Sequence, residues 1–135
     1  MFQRESVLKN KEMQNHNGID FKELSNVPKI NLRGQSSDKK FMTNVGKILN
    51  ILLPTESNTR NKNNELQVIW LSPNEWLAQI YNQNKFEEIF SELQSNLNPE
   101  NTAITDVTEN RTIIRVSGVN LYKLLAKFMI INFVL

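Results

Sequence analysis

The apolar period changes from two to 3.6 and back along this chain, and that switching limits the folds open to it. Phe41, Val45, Ile48 and Leu52 fall at i, i+4, i+7 and i+11, and Phe86, Ile89, Phe90, Leu93 and Leu97 form a second stripe. Each set occupies one helical face, which a stable fold must cover. Around them lie short segments of strand character: 29–34, 66–71, 76–81, 103–107 and 112–116. The order is β-α-β-β-α-β, followed by a further strand and helix. This predicts an α+β fold with a ferredoxin-like split β-α-β-β-α-β core, an antiparallel sheet carrying two helices on one face. Such a plan hosts many functions and does not by itself assign one.

Local signals set the expected boundaries. Asp38 is placed to cap the first helix, and Pro54 to end it. Ser72-Pro73-Asn74-Glu75 has the form of a capping box. It either starts a helix through Trp76 and Ile80 or makes one turn before a strand. The break at Asn82-Gln83-Asn84 leaves six residues, which favours the strand. Asn84 with Glu87 is expected to start the second helix, and Asn98-Pro99 to end it. The turn Thr108–Arg111 is expected to join two strands as a hairpin, with Asp106 and Arg111 paired across it. Ser117-Gly118 precedes a third helix with Leu121, Leu124, Leu125 and Phe128 on one face. Residues 1–27 are polar and aperiodic and read as a flexible N-terminal arm, leaving 28–135 as a single α+β domain.

Composition removes many chemistries. The chain of 135 residues has 16 Lys and Arg against 14 Asp and Glu, a net charge of +2. That balance lacks the basic excess a nucleic-acid binder needs. With no cysteine and one histidine, thiol catalysis, zinc fingers and multi-histidine metal sites are excluded. Glycines occur only at 18, 34, 46 and 118, so no dinucleotide-binding loop or P-loop can be written. No secretory signal and no run of about 18 apolar residues is visible, so the expected compartment is the cytoplasm. Glu87, Glu88 and Glu92 lie outside the apolar stripe and read as a solvated face. Trp70 and Trp76 flank a tight turn, either as an aromatic wall for a flat ligand or, the reading favoured here, as packing.

Four blocks are distinctive in combination: Ile30-Asn31-Leu32-Arg33-Gly34; Leu53-Pro54-Thr55-Glu56-Ser57-Asn58-Thr59; Ile69 to Leu77, containing Trp70-Leu71-Ser72-Pro73-Asn74-Glu75-Trp76; and Thr105-Asp106-Val107 running into Arg111 to Gly118, with Arg115. In that order and at those distances they resemble the gamma subunit family of heterotetrameric sarcosine oxidase. The resemblance runs over about residues 28–128.

The resemblance implies an accessory subunit of an enzyme that oxidatively demethylates sarcosine to glycine and passes the one-carbon unit to tetrahydrofolate. It implies alpha, beta and delta partner subunits, with FAD, FMN, NAD and zinc held by those partners and none by this chain. It also implies a fold resembling part of the folate-binding module of the glycine-cleavage T protein. The family continues past Phe128, so the resemblance further implies a C-terminal truncation. The apolar stretch Phe128–Leu135 would then lack its cover. The residues expected to matter for the fold or an interface are Arg33, Trp70, Glu75, Trp76, Asp106, Arg111 and Arg115. The competing readings are a stand-alone folate-binding aminomethyltransferase-like protein and a non-functional truncated product.

Overall fold

The computed structural model describes residues 5, 6, 8, 14–97 and 99–129. In chain order the elements are β1 (Gln14–His16), β2 (Ile19–Leu24), β3 (Lys29–Arg33), α1 (Lys39–Leu49), β4 (Arg60–Lys62), β5 (Leu66–Ser72), β6 (Glu75–Ile80), α2 (Phe86–Asn96), β7 (Ala103–Asp106), β8 (Ile113–Ser117) and α3 (Leu121–Phe128). They divide between two compact units, Val27–Arg111 and a second formed by Met1–Asn26 with Thr112–Leu135.

The larger unit holds an antiparallel sheet in the order β4-β5-β6-β3-β7. Apart from the short edge strand β4, its topology is compatible with the expected ferredoxin-like plan. Helix α1 links β3 to β5 with β6 between them, and α2 links β6 to β7 with β3 between them. Register explains the core. Ile30 lies opposite Ala78, Leu32 opposite Trp76, Leu66 opposite Ile80 and Val68 opposite Ala78. Strand alternation therefore sends all of these side chains to one face. There they meet Phe41, Val45 and Leu49 of α1 and Phe86, Ile89 and Leu93 of α2 in one buried cluster.

The helix boundaries differ from expectation in instructive ways. Asp38 caps α1 as expected, its Oδ1 accepting from the N–H groups of Lys40 and Phe41 at 2.9 and 3.1 Å. The helix ends at Leu49, however, well before Pro54. Asn50 takes the left-handed conformation (φ 50°), and its N–H bonds back to the carbonyls of Gly46 and Lys47. Asparagine tolerates that conformation better than other non-glycine residues, so it terminates the helix first. Leu52 is left 78% exposed, and Leu49 supplies the inward side chain. At the second helix the Asn82 carboxamide, not Asn84, accepts the capping bond, and a single 3-10 turn, Gln83–Lys85, runs into α2. Glu87 and Glu88 sit in the first turn of α2, where negative charge suits the helix dipole.

Residues 75–80 form a strand, and Ser72–Glu75 is the hairpin turn before it, with a bulge between Trp70 and Ser72. The expected hairpin around Thr108–Arg111 does not form. Strand β7 pairs with β3, whereas β8 pairs with β2 in the other sheet. Where the sequence suggested a flexible arm over 1–27, the described residues from Gln14 onward make the hairpin β1–β2. The smaller unit thus carries a sheet in the order β1-β2-β8, together with α3. The single domain expected over 28–135 is accordingly divided, because 112–129 belong with that hairpin. The stretch Phe128–Leu135 lies, beyond Met129, outside the described residues. Among the described residues no helix is long and apolar enough to cross a membrane.

Candidate functional site

Of the side chains singled out from sequence, Arg33, Glu75 and Trp76 lie where β3 and β6 run side by side, with Trp70 on the adjacent β5. Register places Arg33 opposite Glu75, and Nη2 of Arg33 lies 3.0 Å from Oε2 of Glu75. The other carboxylate oxygen, Oε1, accepts from Nδ2 of Asn31 at 2.8 Å. Both oxygens of Glu75 are therefore engaged by β3. The neighbouring turn is joined to the same strand, since Gly34 N–H donates to the Asn74 carbonyl at 3.2 Å.

On the opposite face of these strands Trp76 is fully buried. Its indole N–H donates to the Pro54 carbonyl at 2.7 Å. Its ring packs against Phe41, with centroids 5.7 Å apart and planes at 38°. Phe41 in turn fills the space over Gly34: a Cβ added there would come within 2.5 Å of Cζ of Phe41. Glycine is thus required at position 34 by close approach, a steric demand of the packing. Trp70 lies opposite Trp76, half-buried against the same core, and its backbone N–H donates to the Thr59 carbonyl at 3.0 Å. Three of the distinctive blocks, around 30–34, 53–59 and 69–77, therefore meet at one place. Trp76 is fully buried, whereas Trp70 is only half-buried.

On the face that carries Asn31 and Glu75 runs a polar series that sequence reasoning missed. Gln67 donates through Nε2 to Oε1 of Gln79 at 2.5 Å and accepts from Nη1 of Arg60 at 2.6 Å. Gln67 and Gln79 are cross-strand partners, and both are buried. Lys29, opposite Gln79 in the register, is buried too and donates through Nζ to the Val27 carbonyl at 2.7 Å. Burial holds its amine below the ordinary lysine range, against the opposing pull of the Glu109 and Asp106 carboxylates. A signal existed in the polar residues at alternate strand positions. It needed the register, which the sequence does not print, to become a network.

The remaining expected residues are not gathered there. Asp106 closes β7 opposite Ile30, and its Oδ1 accepts from Thr108 N–H at 2.8 Å. Asp106 and Arg111 form no ion pair; the expectation fails because β7 and β8 belong to different sheets and no hairpin brings the two together. Arg111 is exposed in the connection. Arg115 lies on β8 in the smaller unit, exposed and opposite Lys22, a like-charge pair that weakens rather than supports that strand pairing. His16 is exposed on β1, and Glu87, Glu88 and Glu92 are exposed on α2. Among the described residues no cluster of three or more His, Cys, Asp or Glu is arranged to hold a metal ion.

A cleft of about 380 Å3 opens where the start of α1 approaches the end of α2, lined by Asp38, Lys40, Asn44, Asn96 and Asn101 among others. Its charged groups are one carboxylate, already capping α1, and one lysine.

The family described as "Sarcosine oxidase, gamma subunit family" matches residues 33–133. Among solved structures, one chain of the heterotetrameric sarcosine oxidase from Corynebacterium sp. U-96, in complex with pyrrole 2-carboxylate, matches with a TM-score of 0.82 at 17% identity. The match covers 97% of this chain and 69% of that one. At that identity the likeness is one of fold. No curated protein matches the sequence.

Proposed function

Because the chain belongs to the sarcosine oxidase gamma subunit family, we propose that it serves as the accessory subunit of a heterotetrameric sarcosine oxidase and supplies architecture instead of a reacting group. In this reading the assembled enzyme oxidises the N-methyl group of sarcosine, reduces oxygen to peroxide, releases glycine and passes the one-carbon unit to tetrahydrofolate. The alpha and beta subunits hold NAD, FAD and FMN, and the delta subunit holds zinc. This chain packs against the folate-handling part of the alpha subunit, and the complex works in the cytoplasm. Its fold is akin to part of the folate-binding module of the glycine-cleavage T protein.

One observation carries the architectural role. Two polar side chains of the most distinctive block are already engaged inside the fold: both oxygens of Glu75 by Arg33 and Asn31, and the indole N–H of Trp76 by Pro54. A residue used for chemistry keeps a group turned toward substrate. Coexpression of this chain with the other subunits from the same source tests the proposal. The expected result is co-elution of all four chains on gel filtration, with sarcosine-dependent peroxide formation. Elution of this chain alone, with tetrahydrofolate analogue bound, contradicts it and favours the stand-alone carrier.

A further inference from the structure

The tip of the β1–β2 hairpin carries a reactive dipeptide. Asn17 is the only asparagine in the sequence followed by glycine. With His16 opposite Ile19, Asn17 and Gly18 form a two-residue loop, and their φ angles of 52° and 75° are those of a type I′ turn. Asn17 is exposed. Neither its carboxamide nor the Gly18 N–H has a hydrogen-bond partner among the described residues.

A second residue acts on the same peptide group. Nδ2 of Asn120 donates to the Asn17 carbonyl at 2.7 Å, and the Asn120 N–H donates to the Gly18 carbonyl at 3.4 Å. Asn120 stands at the start of α3, where an asparagine side chain would ordinarily cap the helix, yet it makes no such bond. Its carboxamide is directed at the hairpin turn. The carbonyl it touches and the Gly18 N–H belong to one amide. A donor on that oxygen stabilises the negative charge that develops when the nitrogen loses its proton, as donors do at a developing oxyanion.

We propose that Asn17 is a site of spontaneous modification, a succinimide-forming deamidation assisted by Asn120. The Gly18 nitrogen gives up its proton to solvent and bonds to Cγ of Asn17. Nδ2 takes a proton from solvent as the Cγ–Nδ2 bond breaks, and ammonia leaves. Water then opens the ring. Attack at the main-chain carbonyl leaves isoaspartate, with an extra methylene in the backbone; attack at Cγ leaves aspartate. No electron transfer is involved. Glycine at 18 leaves the attacking nitrogen unhindered. The other left-handed asparagines, Asn26, Asn50 and Asn58, are followed by the β-branched residues Val27, Ile51 and Thr59 and serve as internal controls. Isoaspartate lengthens the turn and removes the match between the two-residue loop and the His16–Ile19 register.

The test is incubation of the whole folded chain at neutral pH, followed by peptide mapping for amide-to-acid conversion and isoaspartate. Conversion is expected first at Asn17. Asn120→Ala and Asn120→Asp, neither able to donate that bond, should slow it roughly three- to tenfold, the factor one hydrogen bond carries. Repeating the incubation in urea should erase the difference between wild type and variants, which separates assistance from a general loss of folding. Persistence of Asn17 while another asparagine converts, or equal or faster rates in the folded Asn120 variants, overturns the proposal.

Discussion

The indole N–H of Trp76, from the middle of the sheet, donates to the carbonyl oxygen of Pro54 in the connection after α1, at 2.7 Å and out of contact with water. The bond ties the connection after α1 to β6, and the same ring lies against Phe41 of α1. A buried carbonyl in a connecting segment needs a donor, and the turn backbone alone does not supply one there. Trp76 thus fills volume and satisfies the connection in one side chain.

Two substitutions separate these roles. Trp76→Phe keeps a ring but leaves the Pro54 carbonyl without its donor, and should lower the unfolding free energy by about 1–3 kcal/mol. Trp76→Ala also opens a cavity and should cost about 3–5 kcal/mol. Urea unfolding of the two proteins measures both, with Trp76→Ala expected to be clearly the worse.

Gly34→Ala places a methyl group 2.5 Å from the Phe41 ring. Overpacking of this kind costs about 1–3 kcal/mol. Phe41→Leu removes the obstruction, so the double variant should be more stable than the sum of the single effects predicts. A strictly additive result in denaturant titrations would show that the ring had moved aside.

Arg33 and Glu75 are an unequal pair. The Arg33 side chain is 55% exposed and that of Glu75 18%. Arg33→Ala should cost no more than about 1 kcal/mol, as exposed ion pairs do. Glu75→Ala removes the acceptor of the buried Asn31 amide as well and should cost about 1–3 kcal/mol. Added salt should narrow the effect of Arg33→Ala and leave most of that of Glu75→Ala.

Lys29 gives the fold a pH dependence of defined sign. Its folded-state pKa lies below the ordinary 10.5 because of burial. In the window between the two values the unfolded chain binds more protons than the folded one. The lysine's contribution therefore becomes more favourable as pH rises toward 10.5. Wild type should gain stability relative to Lys29→Met across that alkaline interval. Thermal melts of both proteins at paired pH values read the difference; a difference constant with pH contradicts the placement of the amine.

Much of the larger unit was legible from its sequence because period and burial agree there. The stripe of α2, most of that of α1 and the β-α-β-β-α-β order follow from spacing, and the strand expected at 76–81, chosen over a helix from the break after it, is found at Glu75–Ile80. The end of α1 did not follow from spacing, since Asn50 stops the helix by a backbone conformation that competes unseen with the more conspicuous Pro54. The pairing of β7 and β8 with different sheets was also hidden. Strand character says that a segment pairs and not with what, and the partners Ile30 and Phe21 lie far away in sequence. The Arg33–Glu75 contact needed the β3–β6 register, so those two residues were identifiable as distinctive before their bond was.

On the proposed function, the residues most characteristic of this chain hold its fold together so that it can join a sarcosine oxidase complex, and they take no part in turnover. The most direct test is sarcosine turnover per assembled complex, measured with the chain carrying Trp76→Phe or Glu75→Gln beside wild type. Turnover per assembled complex is expected to be unchanged, with a smaller fraction of the chain assembled and a lower unfolding midpoint. Full assembly with turnover abolished would contradict this.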